Sequence, residues 1–301
     1  MKMQYLFLDE LGNIRSGWRV LLFLVILFAV ASIVFYLASV VISDIAFYSP
    51  LLLVVCIGLA TLIMVVMFEK RPLHSVGLPV HKRMPVEMLQ GILVGGIMFS
   101  VVFIAQSAPG WVTLEWRGFE PADILGIILF TGVFFFLAAF GEELFFRGYP
   151  FQTLVESIKA PAAVIIMSAA FSVAHMTNPN ISVLALVNIF LAGVWLCVAY
   201  LKTRTLWFPT GLHLSWNFMQ GTIFSYPVSG QLFEEKTLFH NSVSGPVLLT
   251  GGDFGPEAGL MTTVVLLLGT LYIYKSKYFR IAEGVWTVER FIRDELERYA
   301  K

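Results

Sequence analysis

The sequence predicts an all-α integral membrane protein, a polytopic helix bundle of about eight transmembrane helices with both termini cytoplasmic. Three observations carry that prediction. Of 301 residues, 58% are hydrophobic and only 13% charged, against roughly 25% charged in an ordinary soluble domain, and the mean hydropathy is +0.81. The apolar residues gather into runs near the ~20 residues a helix needs to cross a bilayer. Between those runs Lys and Arg recur in every second segment, as the positive-inside rule requires. The protein therefore belongs in a lipid bilayer, in the cytoplasmic membrane as a multi-pass protein. The net charge is zero, a sum that hides this segregation, and no nucleic-acid partner is expected.

Residues 1–16 are short and polar, and Gly17-Trp18-Arg19 opens the first run with an interfacial Trp and Arg. That run is too long for a signal-peptide core and no small-residue cleavage site follows it, so it is expected to stay as a span. Spans are expected at about 18–42, 50–68, 86–108, 122–147, 161–177, 182–201, 206–223 and 256–275, the fifth and seventh being the weakest by length. Gly91, Gly95 and Gly96 give the third span a small-residue surface for helix packing. Cys56 and Cys197 lie inside apolar runs without CxxC spacing and read as buried small hydrophobes. Placing the N-terminus in the cytoplasm puts every Lys and Arg except Arg117 and Lys236 on the cytoplasmic side. The outer segment 224–255 reads as a disordered loop or a lid, and 276–301 as an amphipathic helix on the inner leaflet. No repeat recurs at a fixed period, and residues 1–301 read as a single integral membrane domain.

The fourth span ends in Phe140-Gly141-Glu142-Glu143-Leu144-Phe145-Phe146-Arg147. Ionisable groups in a span are disfavoured by roughly 2.5–3.5 kcal/mol each, so they face the bundle interior, find partners and mark function. On a helix Glu143 and Arg147 share a face, whereas Glu142 points about 100° away. Glu143 and Arg147 are thus expected to form a structural pair that leaves Glu142 free for chemistry. His175 stands near the end of the fifth span, and His213 and Asn217 lie one turn apart on one face of the seventh. A carboxylate and two imidazoles converging from three helices can activate a water or bind a metal, and an Asn amide can donate to a developing oxyanion. Glu142, His175 and His213 supply enough N and O ligands for a catalytic zinc or another divalent cation, with one open position.

Spacing adds a geometric expectation. An antiparallel hairpin pairs residues equidistant from its turn, and the midpoint of 142 and 175 falls at Ile158-Lys159, just before Pro161. Glu142 and His175 then stand about 24 Å from the turn, while His213 is only about ten residues beyond Lys202 and Arg204. All three share one depth only if the fourth and fifth helices protrude toward the cytoplasm, which Gln152, Glu156 and Lys159 permit. Pro150 is expected to kink the protruding part.

Glu142-Glu143-x-x-x-Arg147, Phe171-x-x-x-His175 and His213-x-x-x-Asn217 together resemble the three signature motifs of the CPBP (CAAX prenyl protease and bacteriocin-processing, or Abi) intramembrane metalloproteases. The likeness covers about residues 122–222, with the motifs in family order. It implies peptide-bond hydrolysis on a membrane-associated protein or peptide. It also implies that Glu142 is the essential carboxylate with Glu143 and Arg147 its companions, that His175 helps activate water, and that His213 and Asn217 stabilise the oxyanion. Two other readings fit the same residues: a catalytically silent membrane immunity or scaffold protein, and a proton-coupled transporter. The absence of an internal repeat or of paired broken helices weighs against the transporter.

Overall fold

Each apolar run of the sequence folds as a helix. In the computed structural model, which describes residues 7–8, 14–233, 236–283 and 285, helix α1 spans Ser16–Val41 and α2 spans Ile45–Leu62, the latter continuing into a π-helical turn, Ile63–Phe68. Then follow α3 (Met84–Ser107), α4 (Pro121–Phe146), α5 (Tyr149–Ala174), α6 (Val183–Thr203), α7 (Trp207–Phe218, extended by the π-helical turn Met219–Ile223) and α8 (Leu260–Lys275). Among the described residues five stretches are long and apolar enough to cross a membrane: Ser16–Val41, Phe47–Phe68, Met84–Ser107, Pro121–Ala174 (α4 and α5 together) and Val183–Thr203; α8 is a shorter apolar helix. Their starts obey local chemistry. Asp44 accepts the Phe47 N–H and Ser182 the Ala185 N–H at the α2 and α6 N-termini.

Side chains sort by solvent. Phe28, Val41, Ile97, Ile104, Val133 and Leu268 stand exposed on the outside of the bundle, an apolar surface that only lipid tolerates. Two interior clusters hold the helices together. One gathers Phe23, Met64, Leu144, Phe151, Phe171 and Tyr200; the other gathers Phe99, Trp195, Leu212, Trp216 and Leu266. The short α7 is the most enclosed helix because α3 lies against it. A Cβ on Gly91 would stand 2.3 Å from the Phe208 carbonyl, and one on Gly95 2.3 Å from Ser215 Oγ. Gly96, which the sequence grouped with them, meets nothing closer than 3.8 Å and faces away from that contact. Cys56 and Cys197 are buried free thiols.

Two expectations are corrected. Pro150 does not kink a helix; it sits in the first turn of α5, where its missing N–H is an orphan anyway, and the chain breaks before it, at Arg147-Gly148. The break inside α5 is at Lys159 (φ 66°, ψ 161°), beside the midpoint that the spacing selected. Segment 224–255 is also ordered among its described residues. Its strand β2 (Phe239–Val243) pairs antiparallel with β1 (Val112–Trp116), Val112 opposite Val243 and Trp116 opposite Phe239. These strands were not anticipated, because each is only five residues long and the ladder is non-local. The predicted amphipathic tail lies mostly outside the described residues.

A polar cluster fixes the direction of α5. Arg71 grips Glu156 through both terminal nitrogens (2.7 and 3.2 Å), Tyr149 donates its hydroxyl to Glu69 (2.6 Å), and Arg19 also pairs with Glu69. Residues 149–158 therefore lie against the end of the bundle where α1 starts and α2 finishes. The second half of α5 returns from the Lys159 break to His175.

Candidate active site

The last turns of α4, the end of α5 and the middle of α7 meet around one cleft of about 370 Å³, and Glu142, His175, His213 and Asn217 all line it. Its walls are mostly apolar and aromatic, including Phe134, Phe135, Phe146, Trp195 and Trp216.

Behind the cleft wall sits the charge pair. Glu143 and Arg147 are fully buried, and Arg147 Nη1 lies 3.0 Å from Glu143 Oε1. Arg147 Nη2 donates to the Gly193 carbonyl at 3.2 Å, and the guanidinium lies over the Phe171 ring, 4.7 Å from its centroid. The Phe and the Arg of two different motifs thus stack on one another, a favourable arrangement where water is excluded. Glu143 has a second partner that helical spacing did not reveal: His213 Nδ1 approaches the same Oε1 at 3.0 Å. An imidazole that gives its Nδ1 proton to a carboxylate is fixed in ring orientation. That leaves Nε2 directed to the cleft, 3.9 Å from Glu142 Oε2.

Glu142 is half-buried, and its Oε2 is shielded yet has no protein hydrogen-bond partner among the described residues. His175 caps α5, its Nδ1 2.7 Å from the Phe171 carbonyl, so its Nε2 is likewise the free nitrogen. Asn217 stands one turn beyond His213 on α7, half-buried. The arrangement provides a carboxylate with an uncommitted oxygen, two imidazoles each anchored through Nδ1, and an amide on a shared cavity. That is the equipment for moving a proton and steadying an oxyanion.

Glu142, His175 and His213 share the cleft, but among the described residues no three His, Cys, Asp or Glu side chains are grouped so as to hold a metal ion. Among the described residues the imidazole of His213 is the only one within 4 Å of the Glu142 carboxylate.

Three cleft residues were missed. Asn178 follows His175 in the loop to α6, Asn188 is buried within α6, and Glu257 precedes α8. Asn188 and Glu257 did leave a signal, as a polar residue in an apolar run and a carboxylate heading another. Asn178 left none, since Asn is ordinary in a loop.

Residues 123–219 match the family model described as Rce1-like, type II CAAX prenyl endopeptidase. The matched segment runs from the start of α4 into the π-helical turn after α7 and contains all three motifs. No match was found among the curated proteins.

Proposed function

We propose that this protein is a CAAX-protease-like intramembrane endopeptidase that hydrolyses peptide bonds of membrane-associated proteins or peptides, a reading supported by the match of residues 123–219 to the Rce1-like, type II CAAX prenyl endopeptidase family model. The single observation behind the mechanism is that Glu142, His175, His213 and Asn217, from three helices, line one cleft. Glu142 is the general base: a water beside its half-buried carboxylate, oriented by His175, loses a proton to it and attacks the scissile carbonyl. The oxyanion of the tetrahedral intermediate takes hydrogen bonds from the Asn217 amide and from protonated His213 Nε2. Glu142 then returns its proton to the leaving amine as the C–N bond breaks. Glu143 and Arg147 hold the His213 ring and the end of α4 in place. The alternation of Lys and Arg supports a multi-pass protein of the cytoplasmic membrane with the N-terminus inside.

The test is Glu142→Gln, which keeps size and polarity but removes the base. Purified protein in lipid vesicles is assayed with two quenched fluorogenic peptides, one a farnesylated CaaX peptide and one an unprenylated transmembrane peptide. Cleavage is expected to fall by about 10²–10⁴-fold with unchanged abundance and membrane insertion. A fully active Glu142→Gln protein would overturn the assignment.

A further inference from the structure

The sequence Gly255-Pro256-Glu257-Ala258-Gly259 delivers a carboxylate that none of the three motifs contains. Glu257 lies in the short 3₁₀ turn Pro256–Ala258 ahead of α8 and lines the cleft together with His175 and Asn178. A carboxylate in so apolar a cleft is stable there only with hydrogen-bond partners, and one of its partners is informative. Glu257 Oε2 accepts the Ser229 backbone N–H at 2.5 Å. The Ser229 carbonyl in turn accepts from Asn178 Nδ2 at 2.9 Å, and the Asn178 backbone N–H donates to the His175 carbonyl at 3.0 Å. Ser229 is gripped on both sides of its α-carbon, by Glu257 on one and by the His175 turn on the other.

What is gripped needs holding. Ser229 (φ 48°) and Gly230 (φ 81°) are the central residues of a two-residue turn, closed by Val228 N–H to Gln231 O and Gln231 N–H to Val228 O, each 2.9 Å. Positive φ at both positions is the I′ hairpin geometry, which Asn-Gly adopts readily and Ser-Gly less so. Outside hydrogen bonds therefore decide whether this turn keeps its shape. It presses on the His175 loop directly: a Cβ on Gly230 would stand 2.2 Å from the Pro179 carbonyl. The base of the latch is itself fixed. Asn188 Nδ2 donates to the carbonyls of Glu257 (2.7 Å) and Gly259 (3.0 Å), and Thr263 Oγ1 donates to Asn188 Oδ1 (2.6 Å).

We propose that Glu257 is a positioning residue: through Ser229 and Asn178 it holds the turn that begins at His175, and so fixes where the His175 imidazole stands in the cleft. Its effect on turnover rests on the endopeptidase reading; the latch does not. The carboxylate acts as a hydrogen-bond acceptor, so an amide oxygen in its place serves nearly as well.

The experiment compares Glu257→Ala, Glu257→Gln and Asn178→Ala in the full-length protein, reading backbone hydrogen exchange over residues 175–180 and 226–232 and the cleavage kinetics of the same two peptides. Glu257→Ala is expected to speed exchange in both segments by about tenfold while the rest of the bundle stays protected. It is expected to lower kcat on the order of tenfold to a hundredfold, because a misplaced catalytic group costs rate more than affinity, with a smaller change in KM. Glu257→Gln restores both readouts to within about threefold of the parent. Asn178→Ala reproduces the kcat loss, and combining it with Glu257→Ala adds little, since both cut one chain. Unchanged exchange over 175–180 in Glu257→Ala overturns the latch. A Glu257→Gln as impaired as Glu257→Ala also overturns it, because charge and not acceptance is then what the site needs. If the parent protein cleaves neither peptide, the endopeptidase reading fails while the exchange measurement still decides the latch.

Discussion

Replacing Arg147 by Ala tests how the charged end of α4 is held. Arg147 and Glu143 are both fully buried, with Nη1 3.0 Å from Oε1, so removing the cation strands a carboxylate away from water. Breaking a pair of this kind destabilises by roughly 3–5 kcal/mol, more than the pair contributes over a neutral replacement. The lost hydrogen bond to the Gly193 carbonyl and the lost stacking on Phe171 act in the same direction. His213 softens the loss in part, since its Nδ1 remains 3.0 Å from Glu143 Oε1. Unfolding in detergent can be followed with a thiol-reactive dye, because Cys56 and Cys197 are both buried and unpaired and react only when the bundle opens. Arg147→Ala should melt well below Glu142→Gln and give less folded protein. Glu143→Gln with Arg147→Gln should recover most of the stability, because the two amides leave no lone charge and still accept the His213 proton. An Arg147→Ala protein as stable as the parent but inactive would refute the reasoning and turn this arginine into a substrate-holding group.

Gly95→Ala should weaken the bundle by about 1–3 kcal/mol, since the new methyl would lie 2.3 Å from Ser215 Oγ and 2.4 Å from the Leu212 carbonyl; Gly96→Ala, with 3.8 Å of clearance, should stay within about 0.5 kcal/mol, and equal melting temperatures for the two would contradict the α3–α7 contact. Arg71→Ala and Glu156→Ala should each destabilise, with a coupling of about 1 kcal/mol in a double-mutant cycle for this bidentate, partly exposed pair; additive effects would show that it does not hold α5 to the end of α2. Prolonged chelation is expected to leave the melting temperature unchanged, because Glu142, His175 and His213 are not gathered as a ligand set; a fall that added zinc reverses would show that a metal organises the cleft.

The bundle itself was legible in the sequence because a bilayer leaves a chain few choices. Backbone groups in hydrocarbon must satisfy one another, so apolar runs of span length become helices whatever their neighbours are. The buried thiols and the packing role of Gly91 and Gly95 followed from local composition. The break near Lys159 followed from counting, since antiparallel helices align residues equidistant from their turn. The residues Glu142, Glu143, Arg147, His175, His213 and Asn217 stood out because polar side chains are costly in such runs.

Other features depend on distances between residues far apart in the chain, and spacing within one helix cannot encode them. Glu143 was assigned to Arg147 alone, four residues on, yet it also meets His213 of α7, the helix against which α3 packs. Three donors on three spans were visible in the sequence, but that hydrogen bonds to Glu143 and to the Phe171 carbonyl orient the two imidazoles was not. The strand pair β1–β2 and the turn 228–231 are likewise settled by partners more than a hundred or several tens of residues distant. The sequence by itself determined that the chain is a bundle of apolar helices and which side chains are too polar to face lipid, because burial in a bilayer is a property of each segment alone. Only the tertiary structure decided which of those polar groups touch, since hydrogen bonds are directional and short, and an ångström of helix placement selects the partner.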